Sequence, residues 1–73
     1  MNNRYEIIIG SPLDYKELVA YIIIEGQHVA LLNQDDGINK LKIDFFDEPK
    51  IRQIDFDTFI EALQAAKKSL LNH

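Results

Sequence analysis

The sequence predicts an α+β fold in which an antiparallel sheet of four strands carries one C-terminal helix on one face. Three observations lead to this prediction. A glycine-containing pair of residues separates two apolar runs, a later segment alternates apolar and charged side chains, and an apolar stripe at helical spacing follows. Because the chain has 73 residues, we expect a single α+β domain over residues 1–73.

Two apolar runs separated by Glu25 and Gly26 predict a β-hairpin. The first run, residues 17–24, is rich in Val, Ile and Tyr, which favour strands. The return strand is expected at residues 27–34. A two-residue connection that contains glycine is typical of a tight hairpin turn, so the two strands should lie side by side.

Two further strands complete the predicted sheet. Residues 5–9 are mostly β-branched and end at Gly10, which indicates a short strand. In residues 41–45 apolar and charged side chains alternate, which indicates a strand with one solvated face. Residues 51–54 stay open as a further short strand, so the predicted sheet has four strands or five.

The C-terminal segment predicts an amphipathic helix over residues 56–71. Asp55 is placed to cap its first turn, and Lys67 and Lys68 lie toward the negative end of the helix dipole. Apolar residues recur at intervals of three and four, as expected for a helix with one buried face. They are Phe56, Phe59, Ile60, Leu63, Ala66 and Leu70.

The composition argues against several classes of protein. The formal net charge is −4, and the eight Lys and Arg residues are scattered along the chain, so no nucleic-acid-binding surface is expected. The absence of cysteine excludes disulfides and thiolate zinc sites. The longest apolar run, residues 18–24, is far below the ~20 residues that a membrane span needs. No signal peptide is recognisable, which favours the cytoplasm of a bacterium.

The sequence contains no recognisable catalytic motif. Ser11 and Ser69 have no histidine near them in sequence, and His28 lies within a predicted strand. The three glycines form no phosphate-binding loop. Asp55 and Asp57 are better explained as partners of the helix N-terminus than as an acid–base pair. We therefore expect no enzyme, no metal site and no cofactor.

The predicted hairpin has a second apolar face that a single helix leaves uncovered. Alternate side chains of a strand point to opposite faces of the sheet. The face expected to meet the helix carries Leu18, Ile22, Val29 and Leu31. The opposite face is expected to present an exposed apolar interface, of the kind that marks a contact surface, formed by Val19, Tyr21, Ile23 and Leu32. The alternative is that loop residues such as Leu13 and Tyr15 fold over it.

Acidic residues are concentrated in the middle of the chain. They are spread over the loop after the hairpin, the following strand and the start of the helix. Such a stretch either keeps a small protein soluble or faces a basic partner. The candidate acidic interface consists of Asp35, Asp36, Asp44, Asp47 and Glu48.

A pattern of apolar and glycine positions runs from about residue 5 to residue 70. Its elements are Tyr15-x-x-Leu18-Val19-Ala20-x-Ile22, Gly26, Val29-Ala30-Leu31-Leu32-x-Gln34, Gly37, Leu41-x-Ile43-x-Phe45 and Phe59-Ile60-Glu61-Ala62-Leu63. The pattern resembles a family of short, uncharacterised bacterial proteins, some of them encoded near polymorphic-toxin genes of the Rhs type. Because these positions shape strands, turns and the helix stripe, the resemblance implies a shared fold and transfers no active site. The toxin neighbourhood implies an immunity-type inhibitor by association alone.

Two functions follow as hypotheses. The first is a non-catalytic protein-binding domain, an acidic inhibitor or adaptor that covers a basic partner. The second is a self-associating domain in which the apolar sheet face forms a homodimer. The acidic stretch favours the first hypothesis, the uncovered sheet face favours the second, and the two are compatible.

Overall fold

The structure, a computed structural model, describes residues 4–48 and 51–73. Four strands, β1 (Tyr5–Gly10), β2 (Val19–Ile24), β3 (Gln27–Asn33) and β4 (Lys42–Phe45), form one antiparallel sheet in the order β1-β2-β3-β4. A single 3₁₀ turn, Ile38–Lys40, precedes β4, and the helix α1 spans Phe56–Leu71. The predicted α+β fold, with one C-terminal helix on a four-stranded antiparallel sheet, is confirmed.

The turn between β2 and β3 has the predicted length of two residues. Glu25 and Gly26 both have positive φ, 52° and 79°, and Ile24 pairs with Gln27 on either side of them. Two consecutive positive φ values characterise the type I′ turn, whose twist matches that of the flanking strands. The backbone N–H of Glu25 also donates to the carbonyl oxygen of Arg4 at 3.1 Å, which ties the turn to the start of β1.

A β-bulge in β3 changes which side chains face the helix. Ile23 pairs with His28 and Ile22 pairs with Ala30, so Val29 is the extra residue between the two pairs. A bulge of this kind shifts every later residue of the strand to the opposite face relative to a regular ladder. Leu32 therefore lies in the core cluster with the helix, and the prediction that Leu31 meets the helix is wrong.

Helix α1 begins and ends where the sequence predicts. The Asp55 side chain accepts a hydrogen bond from the backbone N–H of Thr58 at 3.1 Å, which satisfies one of the free donors of the first turn. The buried side chains of the helix pack against the sheet, mainly on β1 and β2. The buried residues of the helix are Ala62, Ala66 and Leu70. They form one cluster with Ala20, Ile22 and Ile24 of β2.

The helix leaves part of its own side of the sheet uncovered. Because α1 lies over β1 and β2, the flank formed by β4 is open to solvent. Phe45 is 65% exposed and Phe56 is 74% exposed, although Phe45 stacks on Phe59 with ring centroids 6.4 Å apart. The helix therefore covers β1, β2 and part of β3, and leaves β4 largely uncovered.

The fifth strand is not formed, because residues 51–55 have no strand partner. The segment instead passes the end of the sheet beside Ile24 and Gln27 on its way to the helix. Ile51 and Ile54 pack against the core from this position. Their apolar character, which suggested a strand, is thus explained by burial at the end of the sheet.

Leu70 and Leu71 offer a matched test of the core. Leu70 is 4% exposed and Leu71 is 58% exposed, although the two residues are neighbours in the last turn. Leu70→Ala should lower the free energy of unfolding by roughly 2–3 kcal/mol, because it removes buried apolar contacts at a helix end that can partly relax. Leu71→Ala should change it by less than about 0.5 kcal/mol. Urea denaturation measures both, and equal losses would contradict the orientation of the helix.

Candidate functional site

The helix-free face of the sheet carries a tyrosine that lies across the neighbouring strand. A Cβ atom placed on Gly10 would come within 2.6 Å of Cε2 of Tyr21, so the Tyr21 ring occupies the space above this glycine. Glycine is needed here because any larger residue would displace the ring. The ring is thereby held against the sheet, with its other side toward β3 and the end of β4.

Three rings form an aromatic cluster on this face: Tyr21, His28 and Phe46. The rings of Tyr21 and Phe46 are nearly parallel, with an interplanar angle of 17° and centroids 6.2 Å apart. The His28 ring meets both edge-on, with centroids 5.8 Å from Tyr21 and 6.3 Å from Phe46. These are favourable aromatic geometries, so the three side chains hold one another in place.

The bulge in β3 positions the cluster. The backbone N–H of Phe46 donates to the carbonyl oxygen of the bulged residue, Val29, at 3.0 Å. This hydrogen bond extends the pairing of β4 by one residue and brings the Phe46 ring beside His28. The side chain of Phe46 is still 37% exposed, so part of the ring faces solvent.

A depression of about 690 Å³ opens beside the cluster. Gln27, His28 and Phe46 line one part of it, and the exposed carboxylates of Asp47 and Glu48, the acidic pair, line the rest. An apolar aromatic wall and two negative charges therefore meet in one concave surface.

The predicted apolar interface agrees only in part with the helix-free face of the structure. Val19, Tyr21 and Ile23 lie on the helix-free face, but Val19 and Ile23 are buried and Tyr21 is half-buried. Leu32 was expected there, but because of the bulge it lies in the core beneath the helix and Leu31 takes its place on the helix-free face. Phe46 and His28 are exposed members of this face, together with Ile8, which pairs with Tyr21 and is 42% exposed.

The loop alternative is supported at one end of the face. Tyr15 folds over the sheet, and its hydroxyl donates to Oδ2 of Asp44 at 2.8 Å. Asn33 donates to the same oxygen from Nδ2 at 3.2 Å. The hydrogen bond to Asp44 raises the pKa of the Tyr15 phenol above its usual value, and partial burial and nearby carboxylates add to this effect. Leu13, the other loop residue expected to fold over the face, points fully into solvent.

The predicted acidic interface divides into two groups. Asp35 accepts hydrogen bonds from the backbone N–H groups of Lys16 and Glu17 at 3.1 and 2.9 Å, which fixes the connection between β1 and β2. Asp36 pairs with Lys42 at 2.7 Å, and this hydrogen-bonded ion pair lowers the pKa of the Asp36 carboxyl.

Asp44 is also engaged within the chain, through Tyr15 and Asn33. Asp47 and Glu48 lie instead at the depression beside Phe46. The acidic pair is therefore the part of the stretch that lies beside the aromatic cluster.

Sequence reasoning missed the aromatic cluster. It places His28 within a strand and gives Phe46 no role, since Phe46 follows the end of the predicted strand. Two consecutive phenylalanines at a strand end must point to opposite faces, so Phe46 could have been assigned to the helix-free face. Its meeting with His28 depends on the bulge, which has no clear sequence signal.

Within residues 4–48 and 51–73, no group of His, Asp and Glu side chains is arranged to hold a metal ion. The same part of the chain contains no helix that is long and apolar enough to cross a membrane. Comparisons with protein-family models, with curated proteins and with solved structures gave no significant match. The function is therefore inferred from the site itself.

Gly10→Ala should disrupt the aromatic cluster, because the added methyl group requires the Tyr21 ring to move. The ring-proton chemical shifts of His28 and Phe46 should change, since both rings contact Tyr21. NMR spectra of the variant measure this directly. Ser11→Ala is a control at the exposed neighbouring position, and it should leave these ring signals in place. Unchanged ring signals in Gly10→Ala would contradict the position of Tyr21.

Tyr15 should make stability fall at alkaline pH. Its folded-state pKa is raised above 10.0, so its hydrogen bond stabilises the fold below that pH and is lost as pH rises through the folded-state pKa. The stability difference between the wild type and Tyr15→Phe should therefore shrink above about pH 10. Asp44→Asn, which removes the negative charge, should move the Tyr15 titration back toward its usual range. A Tyr15 titration that is identical in Asp44→Asn and the wild type would contradict the assignment.

Proposed function

We propose that the protein is a non-catalytic binding domain that engages a basic protein through the helix-free face of its sheet. The observation that carries this proposal is the exposed aromatic cluster beside the acidic pair. Aromatic side chains, Phe included, are enriched in the cores of protein interfaces. Carboxylates at the edge of such a centre select partners of opposite charge.

The net charge of the protein supports the same class of partner. At −4, the chain attracts a basic surface over several ångströms and speeds its encounter. The resemblance to proteins encoded near polymorphic-toxin genes favours one form of this function, an immunity-type inhibitor that covers a basic toxin domain in the bacterial cytoplasm. An adaptor that recruits a basic protein is the other form.

Capture from a native lysate tests the proposal when two phenylalanine variants are compared. Phe46→Ala alters the aromatic cluster, whereas Phe56→Ala alters an exposed phenylalanine on the helix side. We expect the wild type and Phe56→Ala to capture the same protein and Phe46→Ala to lose it. Equal capture by the two variants, or no specific capture by the wild type, would contradict the proposal.

Charge reversal tests the role of the acidic pair in the rate of association with the captured protein. Asp47→Lys with Glu48→Lys should slow association about tenfold at low salt, and added salt should reduce the difference. Asp57→Lys with Glu61→Lys changes the net charge by the same amount on the helix and is the matched control. Equal slowing by both pairs would show that only net charge matters, which would remove the acidic pair from the proposed site.

Self-association is a second candidate function, and a different surface favours it. Ile43 and Phe45 are exposed on the helix side, where α1 leaves β4 largely uncovered. A second copy of the chain could cover this flank and add to a core that is small for an independent domain. The two functions use different surfaces and are compatible.

Light scattering over a concentration series distinguishes the outcomes for self-association. Phe45→Asp should shift a wild-type dimer to the monomer, and Leu13→Asp, in a fully exposed loop position, should not. A monomeric wild type at every concentration would exclude this candidate. The original sheet-face hypothesis predicts instead that Ile23→Asp dissociates the dimer, but Ile23 is buried, so this variant is expected to unfold.

A further inference from the structure

We propose that the depression beside Phe46 binds one arginine side chain of the partner. This inference rests on the proposed function, since it names the chemical group that the binding face recognises. The depression combines the two features that a guanidinium group requires: an exposed aromatic ring and carboxylates within the same concave surface.

The aromatic wall provides a stacking surface. Phe46 is partly exposed, and its ring is backed by Tyr21 at 6.2 Å and braced edge-on by His28. A planar cation gains from contact with the face of such a ring through both electrostatic attraction and dispersion. Because the Tyr21 and His28 contacts already fix Phe46, little side-chain entropy is lost when the cation binds.

The acidic pair provides the charge. Asp47 and Glu48 directly follow Phe46 in the chain and line the same depression. A carboxylate can accept two parallel N–H bonds from a guanidinium group, a geometry that a lysine ammonium cannot reproduce. Gln27 also lines the depression, and its amide oxygen can accept a further hydrogen bond.

The acidic pair differs from the other carboxylates of the acidic stretch, which have structural contacts. Asp35, Asp36 and Asp44 are held by backbone N–H groups, by Lys42 and by Tyr15 respectively. The acidic pair stands at the end of β4, directly beside the exposed part of the aromatic cluster. The site is therefore a defined combination of ring and carboxylates rather than a general negative surface.

NMR titration of the isotope-labelled full chain with N-acetylarginine amide tests the proposal without any knowledge of the partner. The ring signals of His28 and Phe46 and the amide signals of Asp47 and Glu48 should shift together and saturate. N-acetylcitrulline amide has the same shape without the charge and should bind about tenfold more weakly. Equal binding of the two compounds, or no shift with arginine amide, would overturn the proposal.

Three variants and a second cation make the test specific. Phe46→Leu keeps an apolar side chain but removes the ring face, and Asp47→Asn with Glu48→Gln removes the charge; each should weaken arginine binding several-fold. Phe56→Leu is the matched control and should leave binding unchanged. N-acetyllysine amide should bind more weakly than arginine amide. Equal lysine and arginine affinity, or an unaffected Phe46→Leu variant, would overturn the assignment of a guanidinium site.

The two proposals fail in distinguishable ways. If arginine amide does not bind but capture of a protein still depends on Phe46, the binding face stands and the arginine site is wrong. If arginine amide binds as expected but capture is equal for Phe46→Ala and Phe56→Ala, the site exists and the proposed binding face is wrong.

Discussion

The β-bulge at Val29 is the constraint on which both the core and the candidate site depend. It inserts one residue between the pairs Ile23–His28 and Ile22–Ala30. Beyond that point Leu32 lies beneath the helix and Leu31 on the helix-free face. Before it, His28 stays on the helix-free face, and the bulge carbonyl holds Phe46 beside it. One extra residue thus closes the apolar core and assembles an aromatic surface on the other side of the sheet.

The helix and the hairpin turn could be predicted from the sequence because each has a local cause. Asp55 caps the first turn, the apolar stripe selects one helix face, and Glu25-Gly26 fits a two-residue turn. The bulge has no such signature. Ala30, Leu31 and Leu32 are all apolar, so a shift of one residue exchanges one apolar side chain for another and leaves the hydrophobic pattern unchanged. The predicted faces were therefore correct before Val29 and inverted after it.

The sequence predicted which carboxylates belong to the acidic stretch, but not which groups of the same chain each carboxylate contacts. The sequence shows five carboxylates in or near the loop and strand after the hairpin, and the structure divides them by what lies across from each. Asp35 meets backbone N–H groups that are 18 and 19 residues away in the chain, and Asp44 meets Tyr15 at a separation of 29. Contacts at such separations depend on the tertiary fold. Of the five, Asp47 and Glu48 lie at the depression beside Phe46, where the proposed partner would bind.

The central claim is that the bulge places Leu32 under the helix and brings Phe46 against His28, and NOE spectroscopy tests it most directly. The account predicts NOEs from the Leu32 methyl groups to the methyl groups of Leu63 in the helix, and between the ring protons of His28 and Phe46. It also predicts that the Leu31 methyl groups show no NOE to the helix. NOEs from Leu31 to Leu63, with none between the rings of His28 and Phe46, would indicate a regular ladder without the bulge and would contradict both the core and the site.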